Sequence, residues 1–314
     1  MGKLLIRRVL AIIPVLFLVS ILAFSLVQLV PGDPAVTLAG DSPSDAQIAL
    51  IREKLGLDQP LYMQYFSWLG SVLTGDFGIS LFSSQPVTEA ITQRLPATLS
   101  LIVGALAAAI VIGLPLGVIS GSQHGRWADR ISSVVTAVSL SAPSYVIGLV
   151  LIVVLANKMQ LFPSTGYVAI EDGIGLWAQH LILPSIALGM VPAAILARQL
   201  RSALVGVLAQ DYTRTATAKG LPGRVVLLKH ALRNAAIPGV TALGTQMAVV
   251  IGSTVLIEQI FGIQGLGNLA YNAALQRDIP VIQGVVLTCA VAVQMINLGV
   301  DVMYGWLNPK LRVA

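Results

Sequence analysis

Long apolar runs recur six times along the chain, at Val9–Val30, Pro96–Gly121, Ile131–Ala156, Leu181–Leu200, Ala235–Ile257 and Ile279–Tyr304. A bilayer core of about 30 Å needs about 20 apolar residues per helix. Each run is read as one transmembrane helix, because lipid offers backbone N–H and C=O groups no partner of its own. The alternating segments and frequent turns of a membrane barrel are absent from the sequence. The first run follows Lys3, Arg7 and Arg8, is longer than a signal-peptide core, and is expected to stay as an uncleaved helix.

Between the first two runs lies a mixed segment, Pro31–Leu95. Ser44 and Gln47 have the spacing of a capping box. Ile48, Ile51 and Leu55 then share a helical face, and Gly56 suits a stop. Tyr62–Leu73 predicts a second helix on the membrane surface, where Tyr62, Tyr65, Phe66 and Trp68 suit the interface. This segment either covers helix ends or docks an external partner.

Between the fourth and fifth runs, residues 201–234 form a polar loop. In the stretch Asp211–Gly223, Gly220 is placed just past the end of a short helix. Pro222 or Gly223 opens a second short helix, with Val225, Leu228 and Leu232 on its apolar face and Arg224, Lys229 and Arg233 as its charge. Two short helices meeting at a glycine make a compact knob. Its basic residues serve either topology and headgroup contact or insertion into a groove on a cytosolic subunit.

Charge fixes the orientation. Of 19 Lys and Arg residues, only Arg52, Lys54, Arg94, Lys158 and Arg277 fall on the side that holds Pro31–Leu95. The positive-inside rule puts both termini in the cytoplasm. The fold class is thus all-α and polytopic, with about six transmembrane helices. Residues 1–30 hold the N-terminal region and the first transmembrane helix, 31–95 a partly helical external segment and 96–314 a five-helix core containing the loop 201–234.

Composition agrees. Hydrophobic residues make up 56% and charged residues 11%, against about 25% charged in soluble domains. A soluble enzyme and a nucleic-acid-binding module are excluded on that ground. The single Cys289 and the scattered His124, His180 and His230 have no metal-binding spacing, so no metal site is expected. Asp301 and Glu258 lie near span ends, and no span carries a clear mid-membrane charge, as an ion-coupled carrier would. There is no phosphate-binding G-x-x-x-x-G-K-[ST] loop. If transport is active, its motor is another polypeptide.

Polar groups within the spans are few. Ser139, Ser141, Ser144 and Tyr145 cluster around Pro143, while Gln246, Gln283, Gln294 and Asn297 lie in the last two spans. Ser141, Ser144, Tyr145, Gln246 and Asn297 are candidates to line a substrate path; interhelical hydrogen bonding is the other reading. Gly113, Gly117 and Gly121, four apart, predict close helix packing.

The loop Ala218-Lys219-Gly220-Leu221, continuing through His230–Ala235 to Pro238, resembles the coupling loop of binding-protein-dependent ABC importer permeases. The likeness is to the first (B-type) subunit of the dipeptide/oligopeptide group. Other segments are similar to that group as well: Arg7-Arg8, Pro31–Ala35, Leu55–Leu61, Gly75–Ser80, Arg94–Leu99, Phe261-Gly262, Gly265–Gly267, Arg277–Pro280, Gln283-Gly284 and Asn297–Pro309. The superfamily's Glu-Ala-Ala is replaced here by Arg214-Thr215-Ala216, so its glutamate is not carried over.

The resemblance implies a non-catalytic permease of a bacterial inner membrane, taking up short peptides. It implies a homologous second permease, two ATPase subunits or one fused ATPase chain, and an external binding protein. This chain would carry no cofactor; ATP and Mg would be bound by the partners. Tyr212, Thr215, Ala216, Ala218, Lys219, Gly220, Leu221, His230, Arg233 and Asn234 would meet the ATPase. Asp45, Glu53, Asp58 and Asp76 would meet the binding protein. Relatives carrying nickel complexes, glutathione or haem, an ion-coupled carrier, and a non-transporting scaffold remain as alternatives.

Overall fold

The computed structural model describes residues 2–29, 36, 44–54 and 58–307. Among these the chain is helical, and its strand-like pairing is an isolated bridge between Ile79 and Pro86. The helices are α1 (Gly2–Leu29), α2 (Asp45–Lys54), α3 (Leu61–Leu73), α4 (Val87–Ser122), α5 (Trp127–Ser141) and α6 (Ser144–Leu151), which continues as a π-helical stretch, Ile152–Lys158. Then follow α7 (Ile174–Leu208), α8 (Asp211–Ala218), α9 (Gly223–Ile260), α10 (Leu266–Gln276) and α11 (Ile279–Leu307).

Helices α4 and α7 form the spine. Gly113 and Gly117 let the two backbones touch. A methyl group on Gly113 would lie 2.5 Å from the Ala193 carbonyl oxygen, and one on Gly117 2.9 Å from that of Ala197. The four-residue glycine spacing is therefore a packing device. Around it, Leu101, Leu183, Leu188, Met247, Ile257 and Phe261 make the largest buried cluster, shared by α4, α7 and α9.

The structure corrects two expectations. Ile131–Ala156 was expected as one helix but is two, α5 and α6, bent by 108°. Pro143 lacks an N–H, and it pushes Ala142 into extended backbone at φ −90° and ψ 126°. The Ser139 and Ser141 hydroxyls donate back to the Val135 and Ala137 carbonyls just before the break.

The second correction concerns the loop 201–234, where no separate second short helix forms. Gly223 opens α9, which runs 38 residues to Ile260. No breaker stands between Gly223 and Ala235, and a π-helical turn at Val226–Ala231 takes up the local misfit. That turn also rotates the buried face. Val226, Ala231 and Ala235 are buried, the two alanines against Leu200 and Leu204 of α7, whereas Val225 and Leu228 point outward.

In the external segment the capping box forms. The Ser44 N–H donates to Gln47 Oε1 at 3.1 Å, and the Gln47 N–H donates to Ser44 Oγ at 3.3 Å. The expected stop at Gly56 and the side chains of Ile48, Ile51 and Leu55 lie outside the described residues. α3 is only partly a surface helix. Tyr62 and Phe66 are exposed, but Tyr65 is buried against α1, edge-on to Phe17 and Phe24, with its hydroxyl 2.7 Å from Ser20 Oγ.

Candidate functional site

Two assemblies stand at opposite ends of the bundle. The first is the basic-side knob built on α8. Its start is tied to the end of α7, where the last carbonyls have no helical partner. Thr213 meets that need: its hydroxyl lies 2.6 Å from the Gln210 carbonyl and 3.0 Å from that of Leu208. Ala216 is buried beneath the helix.

The end of α8 is turned by Gly220 at φ +79°, whose N–H donates to the Thr217 carbonyl. A side chain there would meet its own carbonyl, which is why glycine is favoured. The Asn234 amide then donates to the Tyr212 hydroxyl at 2.9 Å and straps α8 to α9.

What remains outward is consistent in chemistry. Tyr212, Leu221, Val225 and Leu228 are exposed apolar or aromatic side chains, and Arg214, Lys219, Arg224, Lys229 and Arg233 of the same stretch are exposed as well. Thr215 and Ala218 are exposed and His230 is half-buried. Of the residues expected to meet a partner, Ala216 thus lies underneath, while Tyr212 and Asn234 hold each other.

Behind the knob, Asp129 forms a buried clamp. It accepts Arg201 Nε at 2.7 Å and Nη2 at 2.9 Å, the two-pronged pairing for which guanidinium is shaped. Ser120 and the Gly125 N–H donate to the same carboxylate, and His124 Nδ1 lies 3.2 Å away. The turn between α4 and α5 is thereby fastened to α7 just ahead of α8.

Sequence reasoning missed Asp129 and Thr213. Asp129 was an available signal, as an acid standing among the basic residues of a short loop. Thr213 gave none, because its role depends on where α7 ends.

A cavity of about 790 Å³ lies beside this clamp, between α4, α5 and α7. Its polar lining comes from Ser120 and Arg201 of the clamp and from Ser132, Ser133, Thr136, Arg198, Gln199 and Ser202. The five path candidates are elsewhere. Ser141 and Tyr145 are exposed, and Ser144, Gln246 and Asn297 are half-buried on α6, α9 and α11. The four external candidates are all exposed but dispersed. Asp45 and Glu53 are on α2, Asp58 precedes α3, and Asp76 follows it, accepting the Gly78 N–H as a turn residue.

The second assembly is the outer junction, where distant segments meet. Asp278 accepts the Ser80 hydroxyl and, at 3.2 Å, the Leu81 N–H. Glu258 near the end of α9 is fully buried. It accepts the Thr98 hydroxyl at 2.7 Å and the Asn268 N–H at 2.8 Å, while Thr98 accepts the Leu266 N–H at 2.7 Å.

The first turn of α10 is thus capped by α4 and α9 together. Gly265 and Gly267 make room: a methyl group on Gly265 would lie 2.4 Å from the Glu258 carboxyl carbon, and one on Gly267 2.7 Å from Val255 Cα. The motif segments Gly75–Ser80, Arg94–Leu99, Gly265–Gly267 and Arg277–Pro280 therefore converge in space.

Comparison with known proteins agrees with this architecture. Residues 113–313 match the family "Binding-protein-dependent transport system inner membrane component", and residues 1–102 match the N-terminal component of such systems. The chain is 41% identical over 307 residues to the glutathione transport system permease protein GsiC of Escherichia coli (strain K12), covering 98% of each chain. The GsiC of Shigella dysenteriae serotype 1 (strain Sd197) matches to the same extent.

Among solved structures, the MetNI methionine ABC transporter in an inward-facing conformation shares the fold. Its TM-score is 0.55 at 18% identity, over 69% of this chain and 95% of that one. With its helical spans, its knob and its converging motifs, the chain belongs to the binding-protein-dependent transport family as an inner-membrane permease subunit of an ABC importer.

Proposed function

We propose that this permease forms half of a pathway for a short peptide-like substrate and is driven through the knob by partner ATPase subunits. The observation that carries the reading is the knob itself. It exposes Tyr212, Leu221, Val225 and Leu228 along a stretch rich in exposed cations, and it is tied to the end of α7 and to α9. Such a surface suits an apolar groove with an acidic rim. Tyr212, Thr215, Ala218, Lys219, Leu221, His230 and Arg233 contact the ATPase, and Ala216, Gly220 and Asn234 shape the contact. ATP and Mg are bound by those partners.

A homologous permease completes the pathway, and an external binding protein docks on the outer face near Asp45, Glu53, Asp58 and Asp76. Closure of the ATPase pair moves the knobs and shifts the helices packed on them by a hinge or shear motion.

The substrate class follows the relatives. GsiC is a permease for glutathione, a small γ-linked peptide, and short peptides share its amide backbone and terminal charges. The test is purification of the tagged chain in mild detergent, followed by uptake of labelled glutathione and dipeptides into vesicles holding the recovered complex. Recovery of a second permease and an ATPase in fixed ratio, with ATP-dependent uptake, is the expected result. A chain that purifies alone, or uptake that survives ATP removal and collapses with the proton gradient, supports a carrier instead.

A further inference from the structure

We propose that Glu258 and Thr98 form the outer joint of the importer, positioning residues that make α10 follow the movement of α9. This rests on the importer reading above. The inner end of α9 begins at the knob, and the helix continues to Ile260 through the π-helical turn at Val226–Ala231 and past Pro238. At 1.5 Å per residue, Glu258 lies about 50 Å along the rod from Gly223. A displacement at the knob therefore arrives at Glu258 without crossing a loop.

At that point the rod is joined to α10 by directional bonds. Glu258 takes the Asn268 N–H on one oxygen and the Thr98 hydroxyl on the other. Thr98 accepts the Leu266 N–H and has one hydrogen of its own, which at a buried site needs an acceptor. The network therefore requires a group with two acceptors and no donor, which a carboxylate is and an amide is not.

Among the described residues Glu258 has no ion pair, and its charge faces the positive end of α10. A buried carboxylate is costly, and well-packed apolar residues commonly stabilise a site as well or better. Here the carboxylate fixes register between three helices. The connecting turn is stiff as well, since the Ile263 N–H donates to the Glu258 carbonyl and the Gly265 N–H to that of Ile263. The far side of α10 carries the exposed Tyr271 and Leu275, so it presents a surface at the outer end that moves with the joint.

The test uses the assembled complex in lipid nanodiscs. Spin labels are placed at Leu275→Cys on α10 and Leu73→Cys at the end of α3, in a Cys289→Ala background. Their separation is measured without nucleotide and after trapping with ATP and vanadate. The wild-type joint is expected to change the separation on trapping. In Thr98→Val and Glu258→Gln the change is lost, hydrolysis per complex is kept, and uptake falls about tenfold, within the usual range of coupling free energies. Thr98→Ser keeps the wild-type response.

The proposal is overturned if the variants move α10 as the wild type does. It is also overturned if hydrolysis and uptake fall in equal proportion, or if trapping leaves the separation unchanged in the wild-type complex. Failure of both variants to assemble, with Thr98→Ser assembling normally, assigns the pair a purely structural role and overturns it too. If no ATPase accompanies the chain, the importer reading fails first, and the joint falls with it.

Discussion

The knob and the outer junction have opposite designs. The knob keeps its chemistry outside: Leu228 is 58% exposed and the cations around it are solvated. Bonds from Thr213, Gly220 and Asn234 tie it to its neighbours and turn its end. The junction keeps its chemistry inside: Glu258 and Thr98 are buried, and both carboxylate oxygens and the Thr98 hydroxyl are hydrogen-bonded.

The difference teaches where stability and coupling reside. A surface awaiting a partner must leave its apolar residues unsatisfied in the isolated chain. A joint between helices of one chain must satisfy its polar groups at once, because a buried unpaired group costs about 1–3 kcal/mol.

Substitutions can break or sharpen this contrast, and thermal unfolding of the purified chain in detergent ranks them. The largest loss is expected for Gly267→Ala. Its methyl would sit 2.7 Å from backbone atoms of Val255 that cannot swing aside, and such overpacking costs about 3 kcal/mol. Asp129→Asn comes next. It leaves Arg201 beside a neutral group, and because that guanidinium keeps one-third of its exposure the loss is about 2 kcal/mol, below the range for fully buried pairs.

Thr98→Val removes the acceptor for the Leu266 N–H and the donor to Glu258, a loss of about 1.5 kcal/mol that Thr98→Ser should avoid. In the knob, Gly220→Ala forces a side chain into positive φ for about 1 kcal/mol. Leu228→Ser should change stability by less than about 0.5 kcal/mol, yet reduce recovery of the ATPase in a pull-down. A large unfolding shift for Leu228→Ser, or unchanged stability for Gly267→Ala, would reverse the assignment of the two regions.

The membrane class and five of the six expected spans could be read from residue type and run length, since lipid imposes both locally. The capping box of Ser44 and Gln47, the glycine contact of α4 with α7 and the end of α8 at Gly220 were legible for the same reason. Each depends on neighbours in sequence or on a repeat of four residues. The family could be read because its motifs stand in order along the chain.

The break at Pro143 had a local cause, but its size did not. Whether a proline kinks a helix slightly or folds it back by 108° depends on what the second half packs against. The unbroken course of α9 through Gly223 and Ala235 was likewise set by burial of Val226, Ala231 and Ala235, two of them against α7. Glu258, read only as an acid near a span end, became the cap of α10 through its meeting with Thr98, 160 residues away in sequence.

The sequence by itself thus determined which segments enter the membrane and which family they form, because hydropathy and motif order are local properties. Only the tertiary structure decided which polar groups are partnered. A hydrogen bond within the bundle joins residues whose separation along the chain carries no trace of their contact in space.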